Sequence, residues 1–141
     1  MNCKYGMEQK DYGSNPYVAS VVQMASQNQN FRTAIWTGCY LQMTIMCIPP
    51  CGEIGLEMHQ DTDQFVRVEQ GNAMVKMGRC KERMEICKTM CRGDAVFIPA
   101  GTWHNIINTG RSNLKVSSIY APPNHPRGTV DRTREAAERR E

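Results

Sequence analysis

The sequence predicts an all-β fold, a small sandwich or barrel. Two observations carry that expectation. Short runs rich in β-branched, aromatic and thioether side chains recur from Phe31 to Tyr120. Gly-, Pro- and Asn-bearing turn signals separate them at short, regular intervals, the pattern of many short strands rather than of helices. The chain has 141 residues, the size of one ordinary domain.

The opening stretch, residues 1–30, is polar and rich in Asn and Gln, and reads as an arm packed on the barrel. Within it Pro16 to Met24 fits a short strand or a short helix, since its periodicity does not decide. Phe31–Trp36 alternates and stops at Thr37-Gly38. Cys39–Ile48 is the longest strand candidate, with Leu41, Met43, Ile45 and Cys47 on one face and Tyr40, Gln42, Thr44, Met46 and Ile48 on the other. Pro49-Pro50-Cys51-Gly52 is a turn. Further strands are expected over Ile54–His59, Gln64–Glu69, Ala73–Arg79, Met84–Cys91, Ala95–Ile98, Trp103–Asn108 and Lys115–Tyr120. The barrel thus spans 31–122, and 123–141 forms a C-terminal tail in which Asp131 to Glu141 makes a short, frayed, charged helix.

Composition narrows the function classes. Net charge is a modest +3. The arginines after Pro126 are interleaved with acids, so no sustained basic stripe for nucleic acid is formed. No stretch approaches the ~18–20 apolar residues of a membrane span, and the N-terminus carries no signal-like apolar run. No membrane or nucleic-acid partner is expected, and a cytoplasmic location is. The seven cysteines are odd in number, with no C-x-x-C pair. They read as free thiols in a reducing compartment, and the ten methionines read as adaptable core filler.

Chemistry concentrates in two places. Glu57 and His59 are two apart, which on a strand turns both to one face, and Gln64 can swing back from the next strand. His104 sits on a distant strand, after the turn Pro99-Ala100-Gly101. Two imidazoles, a carboxylate and an amide oxygen form a ligand set for one divalent ion such as Zn, Fe, Mn or Ni. A carboxylate inside a barrel is costly to desolvate unless it meets a cation. Gln64 reads equally as a lumen hydrogen-bonding residue, and Glu57 also as the proton-transfer group. Trp103 points opposite to His104. His125 reads as a surface loop residue.

These residues resemble the cupin family, specifically its small single-domain members. The second cupin motif, G-x5-P-x-G-x2-H-x3-N, is matched at every fixed position by Gly93, Pro99, Gly101, His104 and Asn108. The first motif is matched by His59 and Gly71, with Glu57 in place of its first histidine, Gln64 in place of its glutamate and Cys51 in place of its leading glycine. One negative ligand charge is kept, moved from the fourth position to the first. The stretch 55–65 also resembles a bacterial cupin subgroup labelled mannose-6-phosphate isomerase-like.

The resemblance implies the double-stranded β-helix (jelly-roll) barrel and a homodimer. An edge strand, Tyr17–Met24 or Phe31–Trp36, would pair with the second copy. It also implies a small-molecule substrate in the lumen, with Tyr40, Gln42, Thr44, Met46 and Phe97 lining the pocket. The leading functional expectation is a metal-dependent isomerase or epimerase of a sugar or sugar phosphate. Glu57, Asp61 or Asp63 would move the proton and Lys76, with Arg67, would meet a phosphate. The alternatives are an iron(II) dioxygenase built on His59, His104 and Glu57, and a non-catalytic binding module.

Overall fold

The structure, a computed structural model, describes residues 10–141. After a short helix α1 (Val21–Gln27) come strands β1 (Arg32–Thr37), β2 (Gln42–Ile48), β3 (Asp63–Gln70), β4 (Asn72–Gly78), β5 (Ile86–Cys91), β6 (Ala95–Ile98), β7 (Trp103–Asn108), β8 (Leu114–Ala121) and β9 (Val130–Asp131). A terminal helix α2 (Arg134–Arg140) follows. They build two antiparallel sheets, one ordered β6-β3-β8-β2-β1-β9 and the other β5-β4-β7. The expected all-β barrel is what forms.

Period-2 burial explains the core. Inward residues Met46, Ile48, Val66, Val68, Val116 and Leu114 of the larger sheet meet Ala73, Val75, Met77 and Ile106 of the smaller one. Each such fully buried aliphatic side chain contributes ~1.5–3 kcal/mol. A second cluster lies on the outer face of the larger sheet, where Met24 and Ala25 of α1 cover Ile35 and Ile45. The segment Pro16 to Met24 is thus resolved as loop and helix, not strand.

Turn chemistry sets the strand ends. Gly71 closes the β3–β4 hairpin at φ +95, and a Cβ there would stand 3.1 Å from the Asn113 carbonyl oxygen, so only glycine fits. The Gly38 N–H donates to the Leu41 carbonyl at 2.8 Å. That tight turn shortens the expected Cys39–Ile48 strand to β2. Residues 54–59 form no regular strand. They run beside β7 through the isolated bridges Glu53↔Ile107 and Glu57↔His104, broken by Gly55 at φ +105.

The C-terminal segment is not a frayed, solvated tail. β9 pairs with β1 through Arg32↔Asp131 and Thr33↔Val130. The Thr133 hydroxyl accepts from the Ala136 N–H at 3.1 Å, capping α2, and Ala137 is buried in the main core. β9 also occupies the β1 edge expected to pair with a second copy, leaving β6 and β9 as the ends of that sheet. Among the described residues, no helix is long and apolar enough to cross a membrane.

Candidate metal centre

Local backbone pairing assembles the site. The Glu57 N–H donates to the His104 carbonyl at 3.0 Å and the His104 N–H returns to Glu57 at 2.9 Å. The two side chains therefore emerge side by side. His59 is fixed by the Gly101 N–H, which donates to its carbonyl at 2.8 Å. Gly101 itself, at φ +80, makes the turn that starts β7. The P-x-G-x2-H spacing thus holds both histidines, one through side-chain placement and one through the backbone.

His59 Nε2 and His104 Nε2 each lie 3.4 Å from Glu57 Oε1, and the imidazole centroids are 5.3 Å apart. The ligand atoms of Glu57, His59 and His104 all lie within 4.8 Å of one another. His104 Nδ1 is 2.9 Å from the Thr102 carbonyl oxygen. An N–H there donates, which leaves Nε2 free as a ligand lone pair. Burial alone would raise the Glu57 carboxyl, but an Nε2 proton on His104 or His59, donated to it, holds it well below the usual carboxylate range; a metal ion on those two nitrogens would stand where that proton stands.

The donor set fits a divalent cation. His59 Nε2, His104 Nε2 and Gln64 Oε1 are all buried and without a hydrogen-bond partner. Leaving buried polar atoms unpaired costs ~1–3 kcal/mol each, and an ion taking lone pairs from all three would remove that cost. Two imidazoles, a carboxylate and an amide oxygen suit a first-row transition ion or zinc. Gln64 is 4% exposed, on the inward face of β3 in register with Tyr120 of β8 and Ile98 of β6.

The other expected site residues disperse. Tyr40 sits in the turn before β2 and is 85% exposed, and Phe97 is 72% exposed because its neighbours Val96 and Ile98 take the inward positions of β6. Phe97 meets Phe65 on the outer surface instead. Lys76 alternates out of phase with buried Val75 and Met77 and faces Asn105 and Cys87 on the outside of the smaller sheet. Arg67, also outward, is paired with Glu69 at 2.8 Å. Asp61 lies exposed in the bend before β3. Met46 is part of the core. Gln42 is buried but occupied: its Oε1 accepts from the His125 N–H at 2.9 Å and its Nε2 donates to the His125 carbonyl at 2.8 Å. Thr44 stays inside, its hydroxyl beside the Tyr120 phenol.

Sequence reasoning missed Tyr120 and His125. Tyr120 is fully buried, its ring edge-on to His59 at 5.6 Å. Burial, with the Glu57 charge adding to it, pushes its phenol up to about 12 against Arg32 and Thr44, which lower it. His125 is a buried residue rather than a surface one. Its ring stands 5.1 Å from Tyr120, and Arg140 lies 3.3 Å from its Nδ1. Parity along Lys115–Tyr120 was the available signal for Tyr120; for His125 there was none.

Comparison with known proteins follows the same line. A family profile described as a cupin domain matches residues 44–120. The uncharacterized protein YrkC of Bacillus subtilis is 50% identical over 125 residues, 89% of this chain and 67% of that protein. The uncharacterized protein L612 of Acanthamoeba polyphaga mimivirus is 36% identical over 116 residues, 82% of this chain and 71% of that protein. The crystal structure of BH2720 from Bacillus halodurans superposes with a TM-score of 0.91 at 45% identity, covering 92% of this chain and 98% of that one.

Proposed function

Since the chain belongs to the cupin family, we propose that it is a metal-dependent enzyme acting on a small oxygen-rich molecule, as an isomerase or epimerase of a sugar. The observation that carries this is the convergence of His59 Nε2 and His104 Nε2 on the Glu57 carboxylate, with Gln64 Oε1 buried and unpartnered on the inward face of β3. Bound there, a divalent ion supplies Lewis-acid polarisation of a carbonyl. Glu57, whose carboxylate lies between the two imidazoles, is the group that would move the proton, and the Tyr120 phenol, held protonated by burial, offers a proton. The resemblance to the isomerase-like subgroup supports the reaction class. Lys76 and Arg67, the expected phosphate anchors, lie on outer faces, which favours an unphosphorylated sugar.

A second reading, an iron(II) oxygenase, is favoured by the two-histidine, one-carboxylate set; Gln64 as a fourth ligand counts against it by filling a position. Cytoplasmic location belongs to the proposal and is supported by free Cys39, Cys47, Cys51, Cys80, Cys87 and Cys91. The homodimer is likewise proposed, with an exposed sheet end such as β6 as its physical motive, and sedimentation as its check.

Elemental analysis of protein purified without added metal, beside Glu57→Ala, tests the centre. Proton NMR in D2O, with aldoses and ketoses supplied to the metal-loaded protein, tests the reaction. Exchange of the carbon-bound proton next to the carbonyl, lost in Glu57→Ala, is the expected result. A metal-loaded protein that exchanges no proton but consumes oxygen with iron(II) overturns the isomerase reading in favour of the oxygenase.

A further inference from the structure

A cavity of about 540 Å3 opens at one end of the barrel, where β4 leaves for β5 and β6 leaves for β7. Small-molecule pockets span ~300–1,000 Å3, so it has room for an occupant. None of Glu57, His59, Gln64 and His104 lines it, yet it borders their centre. Met77 in its wall pairs with His104 across β4 and β7. Thr102, also in its wall, holds His104 Nδ1 through its carbonyl at 2.9 Å.

The wall combines apolar surface with charge. Met77, Ile86, Phe97 and Pro99 supply the apolar part, and Phe97 and Ile86 are exposed. Arg79, Arg83 and Glu85 supply the charge. None of those three side chains makes an ion pair or hydrogen bond among the described residues. Both arginines come from the loop between β4 and β5, and the loop is tightly folded. Cys80 and Arg83 pair as an isolated bridge, with the Arg83 N–H donating to the Cys80 carbonyl at 3.0 Å. The returning chain lies so close on Gly78 that any Cβ there would collide with the Arg83 carbonyl. Glycine at 78 is what allows the return.

Charge and polarity together define the occupant. Two guanidiniums against one carboxylate leave one positive charge in excess. A guanidinium meets a carboxylate through two parallel hydrogen bonds, and a single carboxylate balances that excess. A phosphate monoester, near two negative charges at neutral pH, overshoots it. A neutral molecule leaves both guanidiniums unanswered. A polyol body gains nothing from Met77, Ile86 and Phe97, whereas an aryl or branched alkyl body is taken out of water by them.

We propose that this cavity binds a small monocarboxylate with an apolar, aryl-sized body, its carboxylate at Arg79 and Arg83 and its body on Phe97, Ile86 and Met77. The site is separate from the metal centre and does not draw on the metal reading.

Ligand-observed NMR titration tests it with four probes: phenylacetate, its neutral analogue 2-phenylethanol, phenyl phosphate and acetate. Phenylacetate is expected to bind more tightly than the other three, and equally well with and without zinc. Arg79→Gln and Arg83→Gln should each weaken it about three- to tenfold. Glu85→Gln, which removes the one acid in the wall, should strengthen it. Lys81→Gln, on the same loop but outside the wall, should leave it unchanged. These side chains are exposed, so the variants are expected to fold. The proposal is overturned by a protein that binds none of the four probes, by 2-phenylethanol or acetate binding as tightly as phenylacetate, or by phenyl phosphate binding more tightly. Affinity that ignores Arg79→Gln and Arg83→Gln overturns it as well. Binding that appears only with zinc places the carboxylate on the metal and overturns it while leaving the metal reading intact.

Discussion

His104 Nδ1 and the Thr102 carbonyl oxygen stand 2.9 Å apart, and this contact decides what the imidazole can do. With the proton held on Nδ1, Nε2 faces Glu57 as a lone pair. His104→Ala removes that lone pair from a three-residue centre, and metal affinity should fall by at least ~100-fold, beyond the ~10–100-fold typical of losing a supporting hydrogen bond. Competition titration against a chromophoric chelator measures it. An affinity within a few-fold of wild type would show that His104 is not a ligand.

Gln64 offers a sharper test, because its amide oxygen is buried without a partner. Gln64→Leu keeps the volume and removes the oxygen, and should weaken metal binding by about tenfold. Gln64→Glu adds a second carboxylate and should tighten it. Equal metal affinity in all three proteins would make Gln64 a lumen residue only.

The strands and the clustering of Glu57, His59 and His104 were legible in the sequence for local reasons. The P-x-G-x2-H-x3-N spacing encodes a turn at Gly101 and a strand phase that together orient His104 inward. Glu57 and His59 follow from parity, although their segment is tied to β7 by isolated bridges rather than lying in a regular strand. Parity failed where strands are short or neighbours ambiguous. On four-residue β6, Val96, Phe97 and Ile98 are all apolar, and only tertiary packing turns Phe97 out. Tyr40 fell to the Gly38–Leu41 turn. His125 was out of reach because its burial depends on Gln42, 83 residues away in sequence.

Asp131 and Arg32 are 3% and 2% exposed and 3.4 Å apart, and Arg140 closes on Asp131 at 2.9 Å. Removing the acid leaves the buried guanidinium only the half-exposed Glu141 at 3.6 Å, so Asp131→Asn should cost ~3 kcal/mol. Arg140→Ala should cost less, because Asp131 keeps Arg32 and Arg140 is partly exposed. Urea unfolding of both variants gives the order. Equal, sub-kilocalorie losses would show that the C-terminal segment is not bound to the barrel through this pair.

Acid stability should carry the mark of His125. Burial, reinforced by Arg32 and Arg140, pushes its imidazole down to about 3, against about 6.5 in an unfolded chain. The native ring is therefore neutral while the unfolded ring takes up a proton. Above about pH 6.5 neither state binds that proton and His125 contributes no pH dependence. As pH falls from there towards 3 the unfolded state gains, and stability is lost with a slope approaching about 1.4 kcal/mol per pH unit. His125→Gln cannot titrate. The stability difference between wild type and variant, followed by urea unfolding from pH 7.5 to pH 4, should shift steadily against the wild type below about pH 6.5. Carboxylates held low by their partners, such as Asp131, act equally on both proteins and cancel in that difference. A difference independent of pH would mean that the His125 imidazole is accessible to protons in the native barrel.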